Sequence, residues 1–134
     1  MNSTSDGPIL FHSTMRITDS RLDEFIEAVR RAVEFVEAHG PQLMVQVFLD
    51  EEHGLAHSFQ LYRDSESVLA HWEMSDPYIR DVMAHCTVLS FRTYGRLSDA
   101  VLDGLRAGPA GAATVKPPFT GFVRLAPADV AKAG

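Results

Sequence analysis

The sequence holds a single cysteine in 134 residues, so no disulfide can close within the chain, which fits a reducing cytoplasm. It has no concentrated run of lysine or arginine, and its net charge is −6 at pH 7. That argues against a nucleic-acid partner, which needs a basic face. No apolar stretch approaches the ~20 residues that cross a bilayer, so no membrane role is expected. The opening residues, Met1 to Pro8, carry neither a charged n-region nor an apolar h-region, so no secretion signal is expected. Gly-x-Gly-x-x-Gly is absent, as is any glycine-rich strand-to-helix turn, so flavin and nicotinamide binding have no support. No His-x-His or His-x-x-x-His pair falls within one regular element. His53 and His57 are four apart but straddle a turn and a strand start. The expectation is a cytoplasmic protein with no cofactor and no metal.

What is present is an ordinary globular composition, 46% hydrophobic and 22% charged, enough for one domain with one core. Residues 1–8 are polar and expected to fray. Ile9 to Ile17 alternates, with Phe11, Met15 and Ile17 on one face and Leu10, His12 and Thr14 on the other, as in a half-buried strand. Thr18-Asp19-Ser20 offers N-cap oxygens to a helix whose apolar stripe runs from Leu22 to Val36, and Gly40-Pro41 stops it. Leu43 to Leu49 and Ala56 to Arg63 alternate around the acidic turn Asp50–Gly54, predicting a hairpin. Asp64-Ser65 caps a short helix, and Ser75-Asp76-Pro77 reads as a fresh start, giving a second piece with Ile79, Val82, Met83 and Cys86 inside. Val88 to Arg96 is a fourth strand, and Ser98-Asp99 caps a last helix to about Arg106. Residues 107–134 are a Gly/Ala/Pro linker and a tail whose apolar patch, Phe119 to Leu125, could add an edge strand, cover the pocket mouth or reach a partner subunit.

The order predicts an α+β, ferredoxin-like βαββαβ domain over residues 9–106, a four-stranded antiparallel sheet with helices on one face. The alternation assigns Phe11, Met15, Val45, Val47, Phe59, Leu61 and Phe91 to the helix side, with His57 beside them. His12, Thr14, Met44, Gln46, Phe48, Gln60, Tyr62, Arg92 and Tyr94 fall on the other side. That mixed face is best covered by a second copy, so a homodimer is expected.

Chemistry gathers in residues 57–86, which hold three of the six histidines, the only tryptophan and the only cysteine. His57, His71 and His85 are the candidates to take a phenolic proton or to bond an oxyanion. Each also fits a plain hydrogen-bonded histidine. Tyr62, Trp72, Phe59 and Met83 are candidate walls for a planar ligand, although Trp72 sits on a helix face that would serve as core. Cys86 reads as a small hydrophobe.

The strand order, the Phe59-x-Leu61-Tyr62 strand ending and the segment Ala70-His71-Trp72-x-x-Ser75-Asp76-Pro77-Tyr78 resemble the antibiotic biosynthesis monooxygenase (ABM) superfamily over roughly residues 9–97. The resemblance implies a dimeric α+β barrel. It also implies oxygenation of an aromatic, polyketide- or quinol-like molecule without metal or flavin. Haem cleavage, as in some relatives, is disfavoured because no asparagine follows Asn2. A non-redox cyclase or isomerase, or a non-catalytic small-molecule-binding dimer, would use the same pocket.

Overall fold

A computed structural model describes residues 7–108 and 112–124. Most of the N-terminal segment expected to fray, part of the linker and the tail from Leu125 onward lie outside the described residues. The elements run β1 (Ile9–Ile17), α1 (Leu22–His39), β2 (Met44–Asp50), a 3-10 turn at Glu51–His53, β3 (Leu55–Tyr62), α2 (Ser65–Met83), β4 (Cys86–Tyr94), α3 (Asp99–Ala107) and β5 (Thr114–Lys116). The sheet order is β2-β3-β1-β4-β5. Strand β1 lies antiparallel between β3 and β4, and β2 pairs antiparallel with β3. This is the α+β, ferredoxin-like arrangement, with one strand more than expected. The extra strand is β5, parallel to β4 and tied to it by the Thr93 hydroxyl donating to the Thr114 carbonyl at 2.8 Å. It comes from residues 114–116, ahead of the apolar tail patch.

Local signals account for most boundaries. Gly54 adopts φ 66° and closes the β2–β3 turn, and the Asp50 carboxylate accepts from the His53 backbone N–H. Asp64 caps α2 by accepting from the Ser67 N–H at 2.9 Å, and Ser98 caps α3. The Ser98 N–H in turn donates to Ser65 Oγ, so the starts of α2 and α3 are joined.

Four expectations are corrected. Helix α1 has no side-chain cap, because a turn closed by Arg21 N–H on the Thr18 carbonyl puts Ser20 in the left-handed region at φ 65°. Helix α2 is continuous, and Ser75-Asp76-Pro77 lies inside it rather than restarting it. Cys86 opens β4 instead of ending a helix. Most important, β3 presents the opposite face. Its register pairs Val47 with Ser58, Val45 with Gln60 and Ile9 with Tyr62, so Ala56, Ser58, Gln60 and Tyr62 turn toward the helices. His57, Phe59 and Leu61 turn away. Alternation reports that two faces differ, and a strand apolar toward a bare sheet face has the same period as one apolar toward a core.

The core is in two parts. One gathers Met15, Ile17, Phe25, Ala28, Ala56, Val82 and Cys86 at the α1 end. The other gathers Ile9, Phe11, Tyr62, Val68, Val101 and Leu105 under α2 and α3. Between Phe11 and Met15 the inner face of β1 carries Ser13, paired across the ladder with Ser58. Two small polar residues stand where a large apolar pair would have joined the two parts.

Pro77 is solvent-exposed, has no N–H for the helix ladder and sits well inside α2. Pro77→Ala is expected to raise stability by roughly 1–3 kcal/mol in urea unfolding, because it restores a ladder bond and removes no core contact. No change in the midpoint would mean that the ring makes compensating contacts.

Candidate active site

The gap between the two parts of the core is a cavity of about 330 Å³, at the small end of ligand pockets. Its floor is the helix side of the sheet, with Ser13, Ser58 and Gln60 among Val45, Val47, Val88 and Phe91. Val29, Ala32, Val33 and Val36 of α1 form one wall. His71, Trp72, Ile79 and Met83 of α2 form another, and Gly104, Leu105 and Gly108 close an end from α3 and its terminus. The lining is mostly aliphatic and aromatic, so a ligand inside would lose most of its water.

Of the side chains singled out by sequence, the structure brings four to this cavity: His71, Trp72, Met83 and Tyr62. Among the described residues His71 is the only histidine on its wall. His57 is on the bare sheet face, where Nδ1 meets Thr14 Oγ1 at 3.2 Å. Phe59 is on that face too, stacked on the His12 ring at 4.2 Å. His85 stands beyond the end of α2, 3.8 Å from Asp81, and is not part of the lining. Tyr62 was expected on the bare face and is instead fully buried beneath the helices.

Helix geometry builds the His71 site. His71 and Ser75 are one turn apart on the inner face of α2, both buried, and Ser75 Oγ lies 3.0 Å from His71 Nδ1. The serine hydroxyl can donate to that nitrogen or accept from it. Either way the ring is held, and Nε2 is the nitrogen left for a ligand. Burial pulls the His71 pKa from 6.5 down to about 4, so the ring is neutral at physiological pH. A neutral imidazole in a dry wall can accept a proton, and an anion formed beside it would raise its affinity for that proton.

A second polar group lies where β3 ends. The Tyr62 hydroxyl donates to Gln60 Oε1, and Gln42 Nε2 donates to the same oxygen at 3.2 Å. Burial pushes the Tyr62 phenol above its usual range, so it stays protonated and acts as a fixed donor rather than a base. Its ring centre lies 6.0 Å from that of His71. Ser75, Gln42, Gln60 and the floor serines were not singled out by the sequence. A serine four residues after a histidine in one helix is the only local signal among them, and the Ser75-Asp76-Pro77 run that it opens makes it resemble a helix start. Among the described residues no three His, Cys, Asp or Glu side chains gather where a metal ion would sit. Cys86 is buried with its thiol pushed up to about 11, which leaves it protonated.

The depressed pKa of His71 makes stability pH-dependent with a definite sign. Between pH 6.5 and about 4 the unfolded chain binds a proton that the folded chain refuses. Stability present above pH 6.5 is therefore lost as pH falls toward 4, by about 3 kcal/mol for a depression of this size. Urea midpoints at pH 7.5 and 4.5 should converge in His71→Gln relative to the parent protein. An equal acid sensitivity in both would place the effect elsewhere.

No family model matches the sequence, and comparison by sequence alone matches no curated protein. Comparison of folds finds clear likenesses. MupZ from Pseudomonas fluorescens superposes with a TM-score of 0.70 at 15% identity, covering 88% of this chain and 95% of that one. A proposed antibiotic biosynthesis monooxygenase from Caulobacter crescentus gives 0.58 at 15% identity, covering 69% and 92%. SnoaB, a cofactor-independent oxygenase from Streptomyces nogalater, gives 0.58 at 9% identity, covering 69% and 95%. At such identities the likeness is one of architecture. The chain has the α+β fold of the antibiotic biosynthesis monooxygenase proteins, with its cavity between the sheet and the helices.

Proposed function

We propose that the protein is a cofactor-independent monooxygenase of a small aromatic, polyketide- or quinol-like molecule, with His71 as the proton acceptor. The observation that carries this is a neutral, serine-held imidazole on the wall of a mostly apolar cavity, whose other polar lining is Ser13, Gln42, Ser58, Gln60, Tyr62 and Asp76. The fold shared with a cofactor-independent oxygenase is consistent with it. Trp72 and Met83 would flank the ring system, and the Tyr62–Gln60–Gln42 group would orient a ligand oxygen.

In this reading His71 Nδ1–H donates to Ser75 Oγ, which leaves Nε2 unprotonated, and the phenol or enol gives its proton to Nε2. The resulting carbanion transfers one electron to O2, and the substrate radical and superoxide combine to a peroxide. The peroxide takes back the proton held by His71 and loses water. A CH2 group plus O2 thus becomes C=O plus H2O, with no other oxidant required. Excluding water protects the radical pair and strengthens the attraction between imidazolium and enolate.

The protein is also proposed to work as a homodimer through the bare sheet face. Phe48 is 54% exposed there and Leu89 46%, on a surface that no helix among the described residues covers. Phe48→Glu should shift sedimentation from dimer toward monomer, because like charges would then face each other across a two-fold axis. An unchanged profile would place the interface elsewhere.

The decisive assay is O2 consumption by chelator-treated, flavin-free protein supplied with anthrones and hydroquinones. Uptake above the protein-free rate, with an oxidised product, is expected. His71→Gln should lower turnover by about 10²-fold or more, the usual worth of a positioned base, whereas His85→Gln should stay near the parent rate. Retained turnover in His71→Gln removes His71 as the acceptor. Binding without uptake would point to a cyclase or a non-catalytic binder.

A further inference from the structure

Helix α3 carries a glycine in its interior, where alanine would be the better helix former. The reason lies across the interface with α2. A Cβ built on Gly104 would fall 3.1 Å from Trp72 Cη2 and 3.2 Å from Cε3, and closer still to Cζ3. Ordinary contact needs more room, so the Cε3–Cζ3–Cη2 edge of the indole reaches the α3 backbone and occupies the place of a side chain. Both residues line the cavity. Val101 and Leu105, on either side of Gly104 on α3, are buried in the same cluster against which Trp72 packs. The helix is therefore anchored and cannot simply retreat. The indole is rigid, and it lines the cavity.

We propose that the Gly104–Trp72 contact sets the upper size of the ligand, with Gly104 acting as a positioning residue that holds the indole out of the cavity. This rests on the reading that the cavity takes an aromatic ligand, and it adds which residue limits how many fused rings fit. A side chain at position 104 would push the indole inward and shorten the space available. A smaller ring at position 72 would lengthen it.

Calorimetric affinities for phenol, 2-naphthol and 2-anthrol, a series of one, two and three rings, test this without requiring turnover. In Gly104→Ala, 2-anthrol affinity is expected to fall at least about tenfold while phenol changes less than about threefold, as for a pocket that loses one methyl group of space. The double variant Gly104→Ala with Trp72→Phe should regain the lost 2-anthrol affinity. Trp72→Phe alone, which keeps the glycine and needs no rearrangement of α3, should favour 2-anthrol over phenol more than the parent does.

A uniform loss across the series in folded Gly104→Ala protein would overturn the proposal, because that is the signature of general disruption. So would an unchanged size profile in Trp72→Phe. Parent protein that binds none of the three would overturn both the aromatic-ligand reading and this inference. Size-graded binding without O2 consumption would sink the oxygenase alone and leave the size limit standing.

Discussion

A sheet face that meets its helices with serines at its centre cannot close into a single core. Ser13 and Ser58 face each other across β1 and β3, and the apolar residues on either side gather into two separate groups. Filling that centre with leucine or phenylalanine would bury more apolar area and join the two parts, at the cost of the cavity. The space is held open from all sides. Tyr62 and Phe25 are fully buried and brace the two groups, and the caps of α2 and α3 are joined through Ser65 and Ser98. The cavity is thus a property of the packing as a whole, and every residue on its wall is placed by something outside it.

The same logic governs the chemistry on that wall. A histidine buried in an aliphatic surround loses the stabilisation that water gives to its charged form, and it becomes neutral. It keeps one hydrogen bond, to Ser75, because the two share a face of one helix a single turn apart. Tyr62 responds to burial in the opposite sense and holds its proton more tightly. Two titratable groups with ring centres 6.0 Å apart are thereby given different duties, one able to take a proton and the other held neutral as a donor to Gln60. Trp72 completes the wall only because α3 carries no side chain where the indole lies.

The other face of the sheet explains why alternation alone points β3 the wrong way round. Phe59 and Leu61 are its most apolar residues, and they look outward, beside the exposed Phe48 on β2. In a monomer with one covered sheet face such a pattern would be costly. A second copy on that face would remove the cost. Apolar residues away from the helices and small polar ones toward the cavity invert the usual inside-out rule for this strand.

The sequence by itself determined the element order from β1 to α3, the hairpin, the caps at Asp64 and Ser98 and the inner faces of β1 and β2, because these depend on neighbours within a few residues. It also singled out His71, Trp72, Tyr62 and Met83 as candidates, since their residue types are scarce and cluster in one stretch. Only the tertiary structure decided which way β3 faces, that α2 runs through Pro77, and that His71 rather than His57 or His85 reaches the cavity. The same holds for Gln42, Gln60, Ser13 and Gly104, which come from four different elements and connections and acquire meaning only where those meet. Periodicity is local and symmetric under exchange of the two faces. What breaks that symmetry is contact between distant segments, and a cavity is defined by such contacts alone.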